Sequence, residues 1–127
     1  MPVFVNSGFL RLARVFQNGN NYIKLQVIRV IEKNKKHLGK VLNVDEISKL
    51  IFYNIHSNDA LCRSLTLKAL GGISSIINDK YNVQHSIRLA LESHDELEAK
   101  EAIFAADKFC SVSKYILLIS FKFLLID

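Results

Sequence analysis

One pattern occurs twice in the sequence, in residues 51–70, IFYNIHSNDALCRSLTLKAL, and in residues 87–106, IRLALESHDELEAKEAIFAA. The two stretches begin 36 residues apart, and in this alignment Asp59 falls on Asp95. Three apolar positions also match, with Ile51 on Ile87, Leu61 on Leu97 and Ala69 on Ala105. In both, an apolar run with helical spacing ends in a short polar turn, and a second helical run follows. A helix–turn–helix unit that repeats at this period is typical of a helical solenoid, in which each unit buries its apolar face against its neighbours. The repeat therefore predicts an all-α fold of stacked helix pairs.

The composition agrees with one folded domain of this kind. The chain has 127 residues, of which 50% are hydrophobic and 23% are charged, a balance typical of globular domains rather than disordered segments. A single Pro and five Gly leave few positions for the turns of an all-β architecture. Short polar turns separate the apolar runs, and short connections favour helices that lie antiparallel to their neighbours.

Polar residues ahead of apolar runs predict where two of the helices begin. Asn6 or Ser7 is expected to cap a first helix over residues 7–17. Asn43 stands three residues before Glu46, which is the spacing of a capping box with Asn in place of Ser or Thr. The third helix is therefore expected to begin at Asn43.

Asn and Ser residues also predict where two further helices begin, and a glycine pair interrupts one of them. The second helix is expected to begin at Asn20 or Asn21, and Ser57 or Asn58 is expected to cap the second helix of the first repeat. The pair Gly71-Gly72 lies within that helix, where each glycine costs roughly 1 kcal/mol relative to alanine. The pair predicts either a bend or a place where another helix approaches closely.

Residue types that carry chemistry are present but are not arranged for catalysis. Cys62 and Cys110 lie in predicted helices and outside any CxxC motif, which favours two buried free thiols over a disulfide or a metal site. The four histidines show no metal-ligand spacing, and the sequence contains no GxSxG motif and no phosphate-binding loop. We therefore expect no catalytic residue, no cofactor and no metal ligand.

Two acids occupy equivalent positions in the repeats. Asp59 and Asp95 open the second helix of each copy, where a carboxylate caps backbone N–H groups and favours the positive end of the helix dipole. Arg63 follows Asp59 by one helical turn, so the two are expected to pair. Both acids are interpreted as structural rather than as contacts for a partner.

The termini carry no signal for a membrane. The first residues lack the basic and apolar regions of a secretory signal. The final stretch over residues 115–127 is strongly apolar, but it is shorter than the roughly 20 residues that cross a bilayer and it contains Lys122. No membrane association is expected.

Charge is unevenly distributed along a chain whose net charge is +5 and whose pI is near 9.3. Residues 11–50 contain nine Lys or Arg against three Asp or Glu, whereas residues 91–107 contain six acids against one Lys. The densest basic cluster, which we call the lysine patch, consists of Lys33, Lys35, Lys36 and Lys40. Three interpretations stay open for it: a solvated helix end, a contact with an acidic protein, or a contact with RNA phosphates.

Five separated segments carry a family resemblance. They are VNSGFLRLARVFQNGNNYIKL (5–25), KHLGKVLNVDE (36–46), IHSNDALCRSLTLKALGGISSII (55–77), HSIRLALESHDELEAKEA (85–102) and FAADKF (104–109). Together they resemble the N-terminal helical-repeat region of the Integrator complex subunit 7 family. The similarity covers roughly residues 3–114, and from about Tyr115 the chain no longer resembles the family.

The resemblance implies a fold and a role. The implied fold is an α-solenoid of HEAT or armadillo type over residues 1–114, followed by a divergent apolar segment over residues 115–127. The implied role is that of a non-catalytic scaffold subunit that supports 3′-end processing of small nuclear RNAs and the regulation of transcription by RNA polymerase II. Its implied partners are other Integrator subunits, with the polymerase contacted indirectly, and its implied location is the nucleus, with the cytoplasm as an alternative. Family members continue for many hundreds of residues, so the resemblance also implies a fragment or a truncated product.

Two other functions fit the same residues. A basic helical module that contacts RNA directly would use the lysine patch, and its binding would weaken with salt. A solenoid adaptor from another system, such as a transport receptor or a vesicle-coat adaptor, would share the fold, since fold alone does not determine function. In any of these roles an isolated piece of solenoid exposes apolar end faces, so the chain is expected to aggregate or to need partners.

Overall fold

A computed structural model describes residues 2–112, and the regular elements in this range are all helical. The helices are α1 (Pro2–Asn18), α2 (Asn21–Lys33), α3 (Val44–Phe52), α4 (Ala60–Gly72), α5 (Ser74–Ile77), α6 (Tyr81–Ala90) and α7 (Glu96–Val112). Two short 3-10 turns, Lys35–Lys40 and Tyr53–His56, precede α3 and α4. The all-α prediction is confirmed for the described residues, whereas the apolar segment 115–127 lies outside them.

The longer helices contact one another in a regular order. Consecutive helices pair, α1 with α2, α3 with α4, and α6 with α7. The pairs also contact each other, because α1 packs on α3, α2 packs on α4, and α4 packs on α7. Helix α4 therefore lies between α2 and α7, and most of its residues are buried: Cys62, Ser64, Leu65, Thr66, Leu67, Ala69, Leu70 and Gly71. A helix that is buried around most of its circumference is typical of the middle of a layer.

One hydrophobic core passes through the three helix pairs. Its fully buried side chains come from distant parts of the chain, including Phe16, Leu38, Ile47, Leu67 and Phe109. Burying a side chain of this size favours folding by roughly 1.5–3 kcal/mol. Packing between the pairs, rather than the stability of any single helix, therefore holds the fold together.

The glycine pair marks a close approach between α4 and α7. A Cβ atom on Gly71 would lie 2.8 Å from Cε2 of Phe104 and 3.1 Å from Cα of Ala105. Of the two expectations for this pair, the close approach of another helix is confirmed. The helix also stops here, because α4 ends at Gly72 and the short helix α5 begins two residues later.

Two helix starts show which polar residues act as caps. Helix α2 begins at Asn21, one of the two predicted starts, and Asn20 caps it: its side-chain oxygen accepts a hydrogen bond from the N–H of Ile23 at 2.9 Å. The cap of α4 is Asp59, whose carboxylate accepts from the N–H of Leu61 at 3.1 Å. The prediction of Ser57 or Asn58 as the cap was wrong, whereas the separate prediction that the Asp59 carboxylate accepts from backbone N–H groups is confirmed. The extended backbone that precedes a helix occurs one residue later, at Asp59.

The N-terminal helix begins earlier than predicted. It starts at Pro2, and proline fits the first helical position because its missing N–H has no partner there. Asn6 therefore lies inside α1 and does not cap it. Its side-chain oxygen accepts from the N–H groups of Leu42 and Asn43, both at 2.8 Å, and its amide donates to the side-chain oxygen of Asn43 at 2.6 Å.

The predicted capping box at α3 was also wrong. Asn43 is the residue before α3, but its side chain makes no capping hydrogen bond because it is bonded to Asn6. Glu46 points to α1, where its carboxylate lies 3.4 Å from the guanidinium of Arg14. Contacts with α1 thus replace the local bonds that the spacing predicted.

The change Asn6→Ala is expected to lower the free energy of unfolding by about 1–2 kcal/mol, because two backbone N–H groups lose their acceptor. Urea denaturation followed by circular dichroism measures this, with an unchanged dependence on urea concentration. Asn18→Ala is the control, since Asn18 is exposed and its amide bonds only within α1, to the carbonyl of Arg14. Equal losses for the two variants would contradict the role assigned to Asn6.

Candidate interaction surface

The lysine patch lies at the end of α2 and along the turn that follows. Lys33 is the last residue of α2, and the other three lysines lie in the turn Lys35–Lys40. All four are exposed. Leu38, in the same turn, is only 2% exposed and packs into the core, so the turn is fixed by its apolar residue and directs its lysines to solvent.

The patch has few internal charge partners. Among the described residues, none of its four lysines forms an ion pair with a carboxylate. Lys33 lies at the negative end of the α2 dipole, where a cation stabilises the helix, so its charge has a structural explanation. The remaining charges are available to a partner.

A groove of about 460 Å³ lies across α2, α4 and α7, and we call it the three-helix groove. Helices α2 and α7 both pack on α4, and Ala69 and Gly72 of α4 lie between them. These residues are too small to fill the space that separates Ile28 of α2 from Phe104 of α7. The groove is thus a direct consequence of small residues on the central helix.

Cations surround the three-helix groove. The basic residues that line it are Arg29, Lys33, Lys68 and Lys108, against one acidic residue, Glu32. The ammonium group of Lys68 is 3.9 Å from the carboxylate of Glu101, and that of Lys108 lies 5.5 Å from the centre of the Phe104 ring. Lys33 belongs to both the groove and the lysine patch, so the two basic surfaces are continuous.

Sequence reasoning missed three of these four cations. Arg29 had a usable signal, because it precedes Lys33 by four residues and therefore shares a face of α2 with it. Lys68 and Lys108 had none, since they are distant in sequence and only the packing of α7 on α4 brings them to one groove.

An ion pair joins the second and third helix pairs. The guanidinium of Arg63 on α4 donates to both carboxylate oxygens of Glu98 on α7, at 2.7 and 3.2 Å. Glu98 is 7% exposed and also accepts from the hydroxyl of Ser93 at 2.7 Å. The hydrogen bond from Arg63 lowers the pKa of the Glu98 carboxyl, and burial opposes this shift. The predicted pairing of Arg63 with Asp59 was wrong because the guanidinium reaches the buried acid of the next helix pair.

The two acids that open the repeat helices serve as structural caps, as predicted. The carboxylate of Asp95 accepts from the N–H of Glu98 at 2.9 Å. That of Asp59 accepts from the amide of Asn21 on α2 at 2.8 Å, as well as from its own helix. The Asn21 amide and the Leu61 N–H lower the pKa of the Asp59 carboxyl.

Within residues 2–112, no group of three or more His, Cys, Asp or Glu side chains is placed to hold a metal ion. Cys62 is a buried free thiol, as expected. Cys110 is also free, but it is half-buried, and this partial burial raises the pKa of its thiol. None of the helices in the described range has the length and apolar character needed to span a membrane.

Comparison with known proteins places the chain in a family. Residues 1–116 match the family model described as Integrator complex subunit 7, N-terminal. Integrator complex subunit 7 of Homo sapiens is 50% identical over 113 residues, which are 89% of this chain and 12% of that protein. The protein of the same name from Drosophila melanogaster is 42% identical over 112 residues, or 88% of this chain and 11% of that protein. The Integrator complex subunit 7 homolog of Dictyostelium discoideum is 38% identical over 112 residues, with the same two shares.

The relatives and the family model identify the same part of the family as the part that this chain matches. The chain spans about 12% of the length of the curated relatives, and the matching family model describes their N-terminal region. The match covers the three helix pairs, the lysine patch and the three-helix groove, all of which lie within residues 1–116. The chain belongs to the Integrator complex subunit 7 family and corresponds to its N-terminal part.

Proposed function

We propose that the chain acts as a non-catalytic scaffold element of the nuclear Integrator complex. In this role it supports 3′-end processing of small nuclear RNAs and the regulation of RNA polymerase II transcription through protein–protein contacts. Family membership supports association with other Integrator subunits, and the polymerase is reached through those subunits.

The observation that carries the proposal is the regular spacing of contacts between helix pairs. Side chains join successive pairs at separations of 37 residues for Asn6 with Asn43, 38 for Asn21 with Asp59, and 35 for Arg63 with Glu98. These separations are close to the repeat of 36 residues between positions 51 and 87. Such nearest-neighbour contacts at a constant period support a HEAT or armadillo-type solenoid. We propose that the solenoid comprises residues 1–114 and that the apolar segment 115–127 is separate from it.

Shifted ionisable groups support a structural rather than a catalytic role. The lowered pKa of Asp45 and the raised pKa of Lys80 both arise from their mutual hydrogen bond, which joins α3 to the start of α6. Arg63 and Glu98 do the same between α4 and α7. Perturbed groups in an active site instead converge on a cleft, whereas these join neighbouring helices.

The lysine patch is proposed as the contact for an acidic surface of another subunit. Affinity purification of the tagged full chain, followed by mass spectrometry, is expected to recover Integrator subunits from the nuclear fraction. Changing all four patch lysines to Ala is expected to reduce recovery about tenfold, since rim charges mainly govern encounter and complementarity. The matched control changes four exposed cations elsewhere: Arg11, Lys49, Arg88 and Lys100.

The result that would overturn the scaffold proposal is a well-folded chain that recovers no Integrator subunit. Equal losses of subunit recovery for the patch variant and its control would instead show that the patch is not part of the interface. Circular dichroism of each variant establishes that the helices are intact.

Direct RNA binding is the second candidate, favoured by four exposed lysines without carboxylate partners in the described residues. It predicts an affinity for single-stranded RNA that falls steeply with salt and is lost in the patch variant. Integrator recovery that is unchanged in the same variant would favour this candidate over the scaffold contact.

A further inference from the structure

The three-helix groove has the shape of a binding site for a large apolar side chain. Its lining includes the apolar residues Leu25, Ile28 and Phe104, and its volume of about 460 Å³ falls within the range of roughly 300–1,000 Å³ of ligand pockets. A Cβ atom placed on Gly72 would have nothing within 4 Å, so this end of α4 opens into free space. Apolar anchors that fill such pockets contribute most of the binding energy at protein interfaces.

The charges around the groove determine which partner suits it. Lys68 is paired with Glu101, so three cations of the lining, Arg29, Lys33 and Lys108, remain against Glu32. A partner that placed carboxylates beside Arg29 and Lys108 would gain favourable interactions on both sides of the apolar floor. A basic partner would be repelled.

We infer that the three-helix groove binds an acidic segment of another protein, in which one large apolar side chain is flanked by carboxylates. The inference rests on the proposed scaffold function and specifies the chemistry of one of its partners. The apolar side chain lies over Ala69 and Gly72, and the carboxylates pair with the cations of α2 and α7.

The chain's own C-terminal stretch is a poorer occupant. Residues 113–127 are apolar, but their side chains include Lys114 and Lys122 against one acid, Asp127. Their charge therefore matches that of the groove instead of complementing it. An acidic segment from another chain satisfies both the apolar floor and the cations.

RNA is also a poorer occupant, although its phosphates would suit the cations. Single-stranded RNA binds where aromatic rings offer free faces on which bases stack. Phe104 is the one aromatic ring lining this groove, and the ammonium of Lys108 lies over it at 5.5 Å from the ring centre. The groove thus lacks an open stacking platform.

Fluorescence anisotropy on the full chain tests the inference. The probes are a set of labelled peptides in which Leu, Phe or Trp is flanked by Glu, the same peptides with Ala at the centre, and a single-stranded RNA oligonucleotide. At least one of the Leu, Phe or Trp peptides is expected to bind, and its Ala counterpart is expected to bind at least about tenfold more weakly. Failure of every peptide in the set, equal binding of the Ala counterparts, or preferential binding of RNA would overturn the inference.

Two variants and their matched controls locate the binding site. Gly72→Leu fills the groove and is expected to weaken peptide binding about tenfold, whereas Gly8→Leu, which also adds a side chain to a helix where there is open space, leaves it unchanged. The double change Arg29→Glu and Lys108→Glu is expected to abolish binding. Arg11→Glu with Arg88→Glu is its control, because both residues are exposed and lie outside the groove. Binding that survives both groove variants places the site elsewhere and contradicts the inference.

Purification of Integrator subunits with the same variants separates this inference from the scaffold proposal. If the wild-type chain and both groove variants recover the subunits equally, the inferred role of the groove in binding is overturned, whereas membership of the complex is not. Groove-dependent peptide binding by a chain that recovers no Integrator subunit would overturn the scaffold proposal instead. Loss of recovery confined to the groove variants supports both.

Discussion

Gly71→Val is expected to lower the free energy of unfolding by about 3 kcal/mol, because the added side chain has no room between α4 and α7. Its Cβ would lie 2.8 Å from the Phe104 ring and 3.1 Å from Cα of Ala105. The ring can shift, but the backbone of α7 cannot move without separating the two helices. Urea denaturation of the full chain, followed by circular dichroism, measures the loss.

Gly72→Val is the matched control for this prediction. It adds the same β-branched side chain one residue along the same helix, where a Cβ atom has nothing within 4 Å. Both variants share the low helix propensity of valine, so the difference between them isolates the contact with α7. Equal destabilisation by the two substitutions would mean that α7 does not approach α4 at Gly71.

Arg63→Met is expected to destabilise the fold by about 3 kcal/mol, because it leaves the carboxylate of Glu98 buried without its counter-charge. Methionine retains much of the side-chain volume, so the change removes the charge, together with the hydrogen bond to the carbonyl of Ser57, rather than the packing. The side chain of Arg63 is 26% exposed and that of Glu98 is 9% exposed, which places the loss at the lower end for buried pairs. Arg14→Met is the control, since Arg14 and Glu46 are largely exposed and such pairs contribute at most about 1 kcal/mol.

The pH dependence of stability gives a second test of the same pair. Arg63 lowers the pKa of Glu98 below its ordinary value of 4.5 in the folded chain. The stabilisation is therefore fully present above the unfolded pKa and is lost as pH falls through the folded pKa. The difference in stability between the wild-type chain and Arg63→Met should narrow on acidification over this range. A difference that stays constant as the pH is lowered would show that the loss does not come from the charge of Glu98.

Local signals in the sequence were sufficient for several elements. The repeated pattern predicted helix pairs over 51–70 and 87–106, and the structure has helices α3 with α4 and α6 with α7 at these positions. The start of α2 was predictable because Asn20 and Asn21 stand directly ahead of an apolar run, and Asn is favoured where a helix begins. The close approach at Gly71 was predictable because glycine in a helix interior requires a reason other than helix stability.

Contacts between helix pairs could not be predicted from such local signals. Asn6 and Asn43 both looked like local caps, yet each bonds to the other across 37 residues. Arg63 had an acid one turn earlier, but it pairs with a buried acid 35 residues later. Spacing within one helix shows which residues share a face of that helix. Which of several possible partners a side chain binds depends on which helices pack together. The three-helix groove could not be predicted from the sequence for the same reason, since its cations come from three helices.

Successive helix pairs lie against one another, with α4 packed on α7. Nuclear Overhauser contacts in the full chain test this packing most directly at Gly71, because an α-proton of this residue points at the Phe104 ring. This close approach predicts a strong cross-peak between the Gly71 α-protons and the ring protons of Phe104. A folded chain with well-dispersed resonances in which that cross-peak is absent would contradict the stacked arrangement.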